Sequence, residues 1–351
     1  MSKNNTFTDR SRDFSHSTNL EMKAIIPVAG IGSKLRPHTH TQPKSLVPVA
    51  GKPILSHIVD NLVSAGITDF IFIIGYLGDK IEEYIRQNYP NLKTGFVLQE
   101  PRYGTGHAVY QVRDLIKANE EIIITLGDTI FDLDLTDVIK STDSLLGVKK
   151  VTDPRSFGVA ELNDDGYITN LVEKPPIPKS NLALVGIYKI RDTEGLMESL
   201  HTIISSDKKN QGEFHLTDAI MDMIAKGAKF KTFVVENWYD CGVKENLLET
   251  NAIMLKKHAS TVNSHQYENT IIIPPVSIAP NCAISNSIIG PNVSIGENTI
   301  VNYSILRDAI IGSFSEIQNA VLHHSVIGSD ASLHGLSQSL NLGDSTEIDF
   351  G

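Results

Sequence analysis

Hydrophobic and polar positions follow two different rhythms along this chain, and the change between them divides it. From Lys23 onward, short apolar runs alternate with amphipathic stretches. Ala24–Val28 (AIIPV) is a buried-strand type that opens into a glycine-rich segment. Pro53–Ala65 puts Ile54, Leu55, Ile58, Leu62 and Val63 on one helical stripe, and Gly66 stops it. Asp69–Ile74 (DFIFII) reads as a second strand and Asp79–Asn88 as a second amphipathic helix. Phe96–Gln99, Ile122–Leu126 and Leu145–Val148 read as further strands. Strands alternating with helices predict an α/β domain with a mixed, mainly parallel sheet, covered on both faces, with ligands at the C-terminal strand ends.

After roughly Ser260 the rhythm shortens. Ile278, Ile295, Ile311 and Ile327 are spaced by 17, 16 and 16, each beside small or turn residues. Between them, Ile284, Ile289, Val301, Leu306, Ile317 and Leu322 recur five to seven apart. Three near-hexad sides per turn describe a parallel β-helix of hexapeptide-like repeats, in which each coil buries its apolar row on the next. An antiparallel sandwich of short strands is the plainer alternative. The expected divisions are a disordered N-terminal tail over 1–22, a first domain over 23–257 and a connector over 258–270. The β-helix then fills 271–335, and 336–351 is a C-terminal tail. The leader is polar and has no signal-peptide core, so it is either a tail or sequence upstream of a start at Met22.

Composition narrows the function. With 351 residues, 41% hydrophobic and 21% charged, the chain suits two globular domains. No apolar run approaches the roughly 20 residues of a membrane span. A net charge of −10 argues against nucleic acid or a membrane as partner, and requires any phosphate site to be locally basic. Two cysteines, Cys241 and Cys282, form no metal or disulfide spacing, which points to a reducing cytoplasm.

The strongest chemical signal is Val28–Val49, VAGIGSKLRPHTHTQPKSLVPV. A glycine loop after a strand lets backbone N–H groups turn onto phosphates, and Gly30 and Gly32 remove side chains that would block them. Lys34, Arg36 and Lys44 add three cations, and Pro37, Pro43 and Pro48 hold the segment extended. A solvated basic loop is the alternative. His38-x-His40 lacks other ligands and reads as solvent-exposed.

This segment resembles the nucleotide-binding loop of the nucleotide-sugar pyrophosphorylases, G-x-G-[TS]-R-L-x-P…P-K. The resemblance implies a Rossmann-like nucleotidyltransferase domain followed by a left-handed parallel β-helix. It assigns nucleotide binding to Ala29, Gly30, Gly32, Ser33, Gln99, Gly104 and Thr105. Where the family has arginine this chain has Lys34, which keeps the charge but not the bidentate fork, leaving Arg36 to share the role. Asp128, at the end of IIITLGD, and Asp240, in WYDCG, match the family's two Mg²⁺ aspartates. Singly, each could be an ordinary turn aspartate. Gly158, Glu173, Lys174 and Gly186 match the sugar-phosphate side, although a Glu–Lys neighbour pair is often only a surface pair.

The reaction implied by this resemblance is transfer of a nucleotidyl group from dTTP or UTP to a sugar 1-phosphate, glucose 1-phosphate first. The catalytic set is Lys34, Arg36, Lys44, Asp128, Lys174 and Asp240, with Mg²⁺ as cofactor. SNLALVGIY, GEFHLTDAI and WYDCG…LLETN resemble long-form glucose-1-phosphate thymidylyltransferases, whereas IPVAG and GTGHAV resemble uridylyltransferases. The alternatives are an N-acetylglucosamine-1-phosphate uridylyltransferase and a non-catalytic regulatory subunit. Acetyl transfer on the coils, with His323 or His324 as base, is a third. Three to four coils without an extension for a coenzyme favour a structural or homo-oligomerising role.

Overall fold

The structure, a computed structural model, describes residues 22–117, 120–257 and 266–335. The expected tails at 1–21 and 336–351, and connector residues 258–265, lie outside the described residues. Met22 belongs not to the polar leader but to the first strand, β1 (Met22–Pro27), where it is buried and pairs with Glu121.

A short hairpin, β2 (Pro48–Val49) and β3 (Lys52–Pro53), leads into α1 (Ile54–Ser64) and β4 (Asp69–Ile74). Then come α2 (Gly78–Asn88), β5 (Lys93–Leu98), α3 (Thr105–Tyr110), β6 (Glu121–Thr125) and β7 (Thr129–Asp132). They are followed by α4 (Thr136–Lys140), β8 (Ser144–Lys150), β9 (Gly158–Leu162), β10 (Ile168–Glu173) and β11 (Leu182–Ile190). The run closes with α5 (Thr193–Ser205), α6 (Leu216–Ala225), β12 (Phe230–Val234), β13 (Asn237–Asp240) and α7 (Lys244–Lys257). The described residues fall into two compact units. One comprises 22–29, 58–127 and 132–237; the other comprises 30–57, 128–131 and 238–335.

The first unit is built on a nine-stranded sheet, β10-β9-β11-β6-β1-β4-β5, with β8 on β11 and β12 on β8. Strands β6, β1, β4 and β5 run parallel, as the strand–helix alternation predicts. Beyond them β11 enters antiparallel to β6, β8 and β9. Successive residues of β4 face opposite ways. Phe70 and Phe72 stack in a row with Phe96, capped by the Arg86 guanidinium of α2. Ile71 and Ile73 join Ile25, Ile122 and Ile124 in a core closed by apolar faces of α3, α5 and α6. The C-terminal ends of the parallel strands stay in register past the ladder. Val28 N–H reaches Ile73 O (2.8 Å), Gln99 N–H reaches Ile74 O (2.8 Å) and Gly127 N–H reaches Pro27 O (3.3 Å).

In the second unit the aliphatic spacing becomes strand register. Ile278, Ile295, Ile311 and Ile327 are successive parallel partners, and so are Ile284, Val301, Ile317 and Leu333. Ile289, Leu306 and Leu322 form part of the third side. All these coil pairings are parallel, which excludes the antiparallel sandwich. Corners between sides use a left-handed residue: Asn281, Asn298, Phe314 and Asp330 at one, Asn269, Asn286, Tyr303 and Asn319 at another. Asparagine and aspartate tolerate that backbone because their short polar side chains bond locally; Phe and Tyr do not. Helix α7 packs on the coils, and its buried Asn251 ties three segments together. Its Oδ1 accepts from Ala50 N–H (2.8 Å) and Ser294 Oγ (2.6 Å), and its Nδ2 donates to Asn292 O (3.2 Å).

Phe314 sits at φ 57° and is largely exposed, so it takes the left-handed penalty with little burial in return. Replacing it by the asparagine found at equivalent corners, Phe314→Asn, is expected to raise stability by about 0.5–1 kcal/mol. A urea titration should show the unfolding midpoint moving upward; an unchanged or lower midpoint counts against the corner argument.

Candidate active site

The glycine loop leaves the end of β1 and enters the second unit at Gly30. Gly30 has open space where a Cβ would stand, so its peptide edge is accessible. Gly32 has φ 69°, and a Cβ there would lie 2.8 Å from the Lys44 Cβ and 3.0 Å from the Thr39 methyl. The loop therefore closes on itself only with glycine at that point. Thr39 Oγ1 donates to Gly32 O (2.9 Å), and Leu35 N–H bonds the same carbonyl (2.9 Å). Ser33–Leu35 and Lys44–Leu46 are short 3₁₀ turns in which Leu35 and Leu46 are buried while Ser33 and Lys34 face out. Each turn thus uses an apolar peg to aim a polar neighbour.

Lys44 Nζ lies 2.7 Å from Asp128 Oδ2. Asp128 stands just before β7, which pairs with β13, and Cys241 N–H donates to Asp128 O (3.2 Å). That pairing brings in Asp240, the last residue of β13. Burial first, and then the charge of Asp128, push the Asp240 carboxyl above its usual range. Lys44, the Gly242 N–H and Lys34 act in the opposite direction. The structure therefore gathers Lys34, Lys44, Asp128 and Asp240. Arg36 is exposed at the end of its turn and is not among the charges acting on Asp240. Among the described residues no cluster of three or more His, Cys, Asp or Glu is placed to hold a metal, His38 and His40 included.

The other expected residues lie in the sheet unit. Gln99, buried just past β5, has its Nε2 3.0 Å from Gly104 O, and Thr105 Oγ1 accepts from Leu216 N–H (3.2 Å). Gly104 and Gly106 run so close to Phe214 and His215 backbone that a Cβ on either would come within 2.6–2.9 Å. On the neighbouring strands Glu173 pairs with Gly158, and a Cβ on Gly158 would meet Glu173 Oε2 at 3.1 Å. Lys174 adopts φ 42°, which turns it out of β10, with its Nζ 3.7 Å from Glu173 Oε1. Gly186, at φ 84°, accepts from Leu126 N–H (2.9 Å). Two partners escaped the sequence reading. Thr217 Oγ1 donates to Glu173 Oε2 (3.4 Å), and buried Tyr188, its phenol held high by burial, feels the Glu173 charge. The segment GEFHLTDAI carried the only signal for Thr217.

A glycine loop after a parallel strand, with lysines beside two aspartates, is an arrangement suited to phosphate and cation chemistry. Residues 23–257 match the nucleotidyl transferase family, and the chain belongs to it. Over 243 residues it is 33% identical to the low-salt glycan biosynthesis nucleotidyltransferase Agl11 of Haloferax volcanii, covering 67% of this chain and 66% of that one. It is 31% identical over 309 residues to a glucose-1-phosphate thymidylyltransferase of Streptomyces antibioticus, covering 86% and 81%. Among solved structures, UDP-glucose pyrophosphorylase complexed with UDP-glucose matches with a TM-score of 0.59 at 26% identity, covering 67% of this chain and 99% of that one. The chain spans 66% and 59% of the length of the first two curated relatives it matches.

The raised Asp240 carboxyl has a stability consequence. A carboxyl that holds its proton more tightly folded than unfolded opposes folding once ionised. That penalty is complete above the folded value and vanishes below the ordinary value of 3.8. Without divalent cations, Asp240→Asn is expected to unfold at a higher temperature than the native chain at neutral pH, with the gap closing as pH falls toward 3.8. Scanning calorimetry in chelator checks this, and a lower melting temperature at neutral pH would overturn it.

Proposed function

We propose that the protein transfers a nucleotidyl group from dTTP or UTP to a sugar 1-phosphate, glucose 1-phosphate foremost, releasing pyrophosphate. The observation that carries this reading is the set Lys34, Lys44, Asp128 and Asp240, its lysines following a glycine loop with open space at Gly30. A phosphate oxygen of the sugar attacks the α-phosphorus in line. It is already anionic, so the reaction needs positioning and charge neutralisation rather than a general base. The Ala29–Ser33 backbone, Lys34 and Arg36 bind the departing pyrophosphate, and Lys44 neutralises charge beside Asp128. Lys174 holds the sugar phosphate, Glu173 accepts from sugar hydroxyls, and Gly158 and Gly186 leave the sugar room. Gln99, Gly104 and Thr105 receive the base.

Two adjoining carboxylates with no third protein ligand among the described residues fit Mg²⁺, which keeps its other positions for water and phosphate oxygens. Asp128 and Asp240 would hold it, and it would supply positive charge to the α-phosphate. Free thiols at Cys241 and Cys282 fit a cytoplasmic setting. No helix among the described residues is long and apolar enough to cross a membrane.

The second part of the proposal is a homo-oligomer. Ile271, Ile288, Ile305 and Val321 stack in register on the outside of one β-helix side, with Ile271, Ile305 and Val321 well exposed and Tyr303 beside them. An uncharged aliphatic ladder of this kind is a surface that another copy can cover. Light scattering should report an oligomer that Ile305→Glu with Val321→Glu reduces to monomers; a monomeric native chain sinks this part.

The reaction is tested by pyrophosphate release with Mg²⁺ across dTTP, UTP, ATP, GTP and CTP against glucose-, galactose-, mannose- and N-acetylglucosamine-1-phosphate. Release confined to dTTP or UTP with glucose 1-phosphate is expected. Preference for UTP with the N-acetylated sugar selects the uridylyltransferase alternative. A folded, nucleotide-binding chain silent across the grid overturns catalysis in favour of a regulatory role. In the active chain, Asp128→Asn should lower turnover by about 10²-fold or more with nucleotide affinity nearly unchanged.

A further inference from the structure

Ala50 and Gly51 form the two-residue turn between β2 and β3, and both have positive φ, 50° and 87°. A turn of this kind matches the twist of its strands but favours Asn, Asp or Gly at both places. Gly51 satisfies that preference, and it runs so close to the Ser277 hydroxyl that no Cβ fits. Ala50 does not: alanine has no polar side chain to bond locally and carries the left-handed penalty unaided. Backbone in such a conformation persists only where its surroundings fix it. Here the fixing group is Asn251 of α7, fully buried, whose Oδ1 accepts from Ala50 N–H at 2.8 Å. The same oxygen accepts from the coil hydroxyl of Ser294 (2.6 Å), and the Nδ2 donates to Asn292 O (3.2 Å). The amide cannot turn away without leaving a buried polar atom unpaired.

Both sides of this contact lead to the charged cluster. Backward from the turn, Val49 pairs with Lys52, Ile54 N–H bonds Val47 O (3.1 Å) and Val47 N–H bonds Lys44 O (3.1 Å). Hydrogen bonds thus link the Ala50 turn to the short helical turn that carries Lys44. On the other side, β13 ends at Asp240, Cys241 N–H bonds Asp128 O (3.2 Å), and α7 starts at Lys244. Asn251 therefore joins the segment that bears Asp240 to the hairpin that follows Lys44, whose Nζ stands 2.7 Å from Asp128 Oδ2. We propose that Asn251 is a positioning residue for nucleotidyl transfer: by holding the Ala50 turn against the coil it fixes where Lys44 stands relative to Asp128 and Asp240. The inference rests on Lys44 acting in that reaction, and it deepens that reading by making a buried amide seated on the coils part of what sets turnover. A lysine that neutralises charge developing in the transition state acts on kcat more than on ground-state binding. Loss of Asn251 is therefore read in kcat.

The test measures kcat and KM with dTTP, UTP and glucose 1-phosphate, together with amide hydrogen exchange over residues 47–53, in whole native and variant chains. In the native chain the Ala50 amide should exchange slowly for a turn residue. Asn251→Leu should speed exchange in the hairpin and lower kcat by at least about tenfold, with KM for the nucleotide changed by less than about threefold. Adding Ala50→Gly to Asn251→Leu lets the turn form without strain and should recover at least about threefold of the lost kcat. A merely structural role of Asn251 in coil packing is blind to residue 50 and gives no recovery. A folded Asn251→Leu chain with native kcat, a loss confined to KM, or no recovery with Ala50→Gly overturns the proposal. Should Asn251→Leu not fold, Ser294→Ala removes the coil's hold on the same amide oxygen. A kcat lower by at least about threefold is then expected, and native kcat overturns the proposal. A native chain silent with every nucleotide overturns nucleotidyl transfer instead, and exchange at Ala50 then decides whether the turn is held as stated.

Discussion

Asp240 is held close enough to Asp128 to feel its charge, and the second compact unit is arranged around making that tolerable. A like charge beside a partly buried carboxyl resists its ionisation. The structure answers with Lys44 at 2.7 Å from Asp128 and with Lys34 acting on Asp240. Neither lysine is aimed by its own backbone alone. Lys44 is placed because Gly32 lets the loop fold onto it, Thr39 holds the Gly32 carbonyl, and the pegs Leu35 and Leu46 anchor the two turns. An electrostatic requirement at two carboxylates thus becomes a steric one, filled by a glycine and two leucines.

The same unit explains what the coils do for the loop. Asn251 spends both lone pairs of its carbonyl on the β2–β3 hairpin and on Ser294, and an N–H on the next corner's Asn292. A buried amide with three hydrogen bonds fixes three segments in one geometry, because turning any of them away leaves an unpaired polar group. Gly51 repeats the point sterically, since a Cβ there would stand 2.4 Å from Ser277 Oγ. The hairpin that comes after Lys44 is therefore seated on coil residues through both hydrogen bonds and close packing. A β-helix with its regular ladders is a stiff base for that purpose, which gives the coils a role apart from any chemistry of their own.

How much of this was legible in the sequence depends on which interactions are local. The coils were legible to the residue, because burying one apolar row on the next requires a repeat, and the 17, 16, 16 spacing is the strand register itself. The glycine loop stood out because glycines and three cations cluster in one short segment, and the two aspartates stood out only through the family resemblance. Met22 was not, since its polar upstream neighbours outweighed a strand one residue longer. The reversal at β11 was also hidden: a central strand buried on both faces reads as apolar in either direction. Asn251 and Thr217 depend on partners 41–201 residues away, and no periodicity encodes those.

Three features of the second unit are locally unfavourable. Asp240 is a buried acid beside another acid, Phe314 and Tyr303 occupy left-handed corners, and an aliphatic ladder faces outward. A fold that gives the buried Asn251 amide three hydrogen bonds pairs its polar groups well at that point, so these exceptions call for separate reasons. For Asp240 the proposed Mg²⁺ would be that reason, since an ionised pair attracts a cation. For the ladder the proposed contact with another copy would be that reason, and Tyr303 lies beside that ladder. Phe314 is exposed at φ 57°, strain that the coil tolerates because the remaining corners of its row are Asn or Asp.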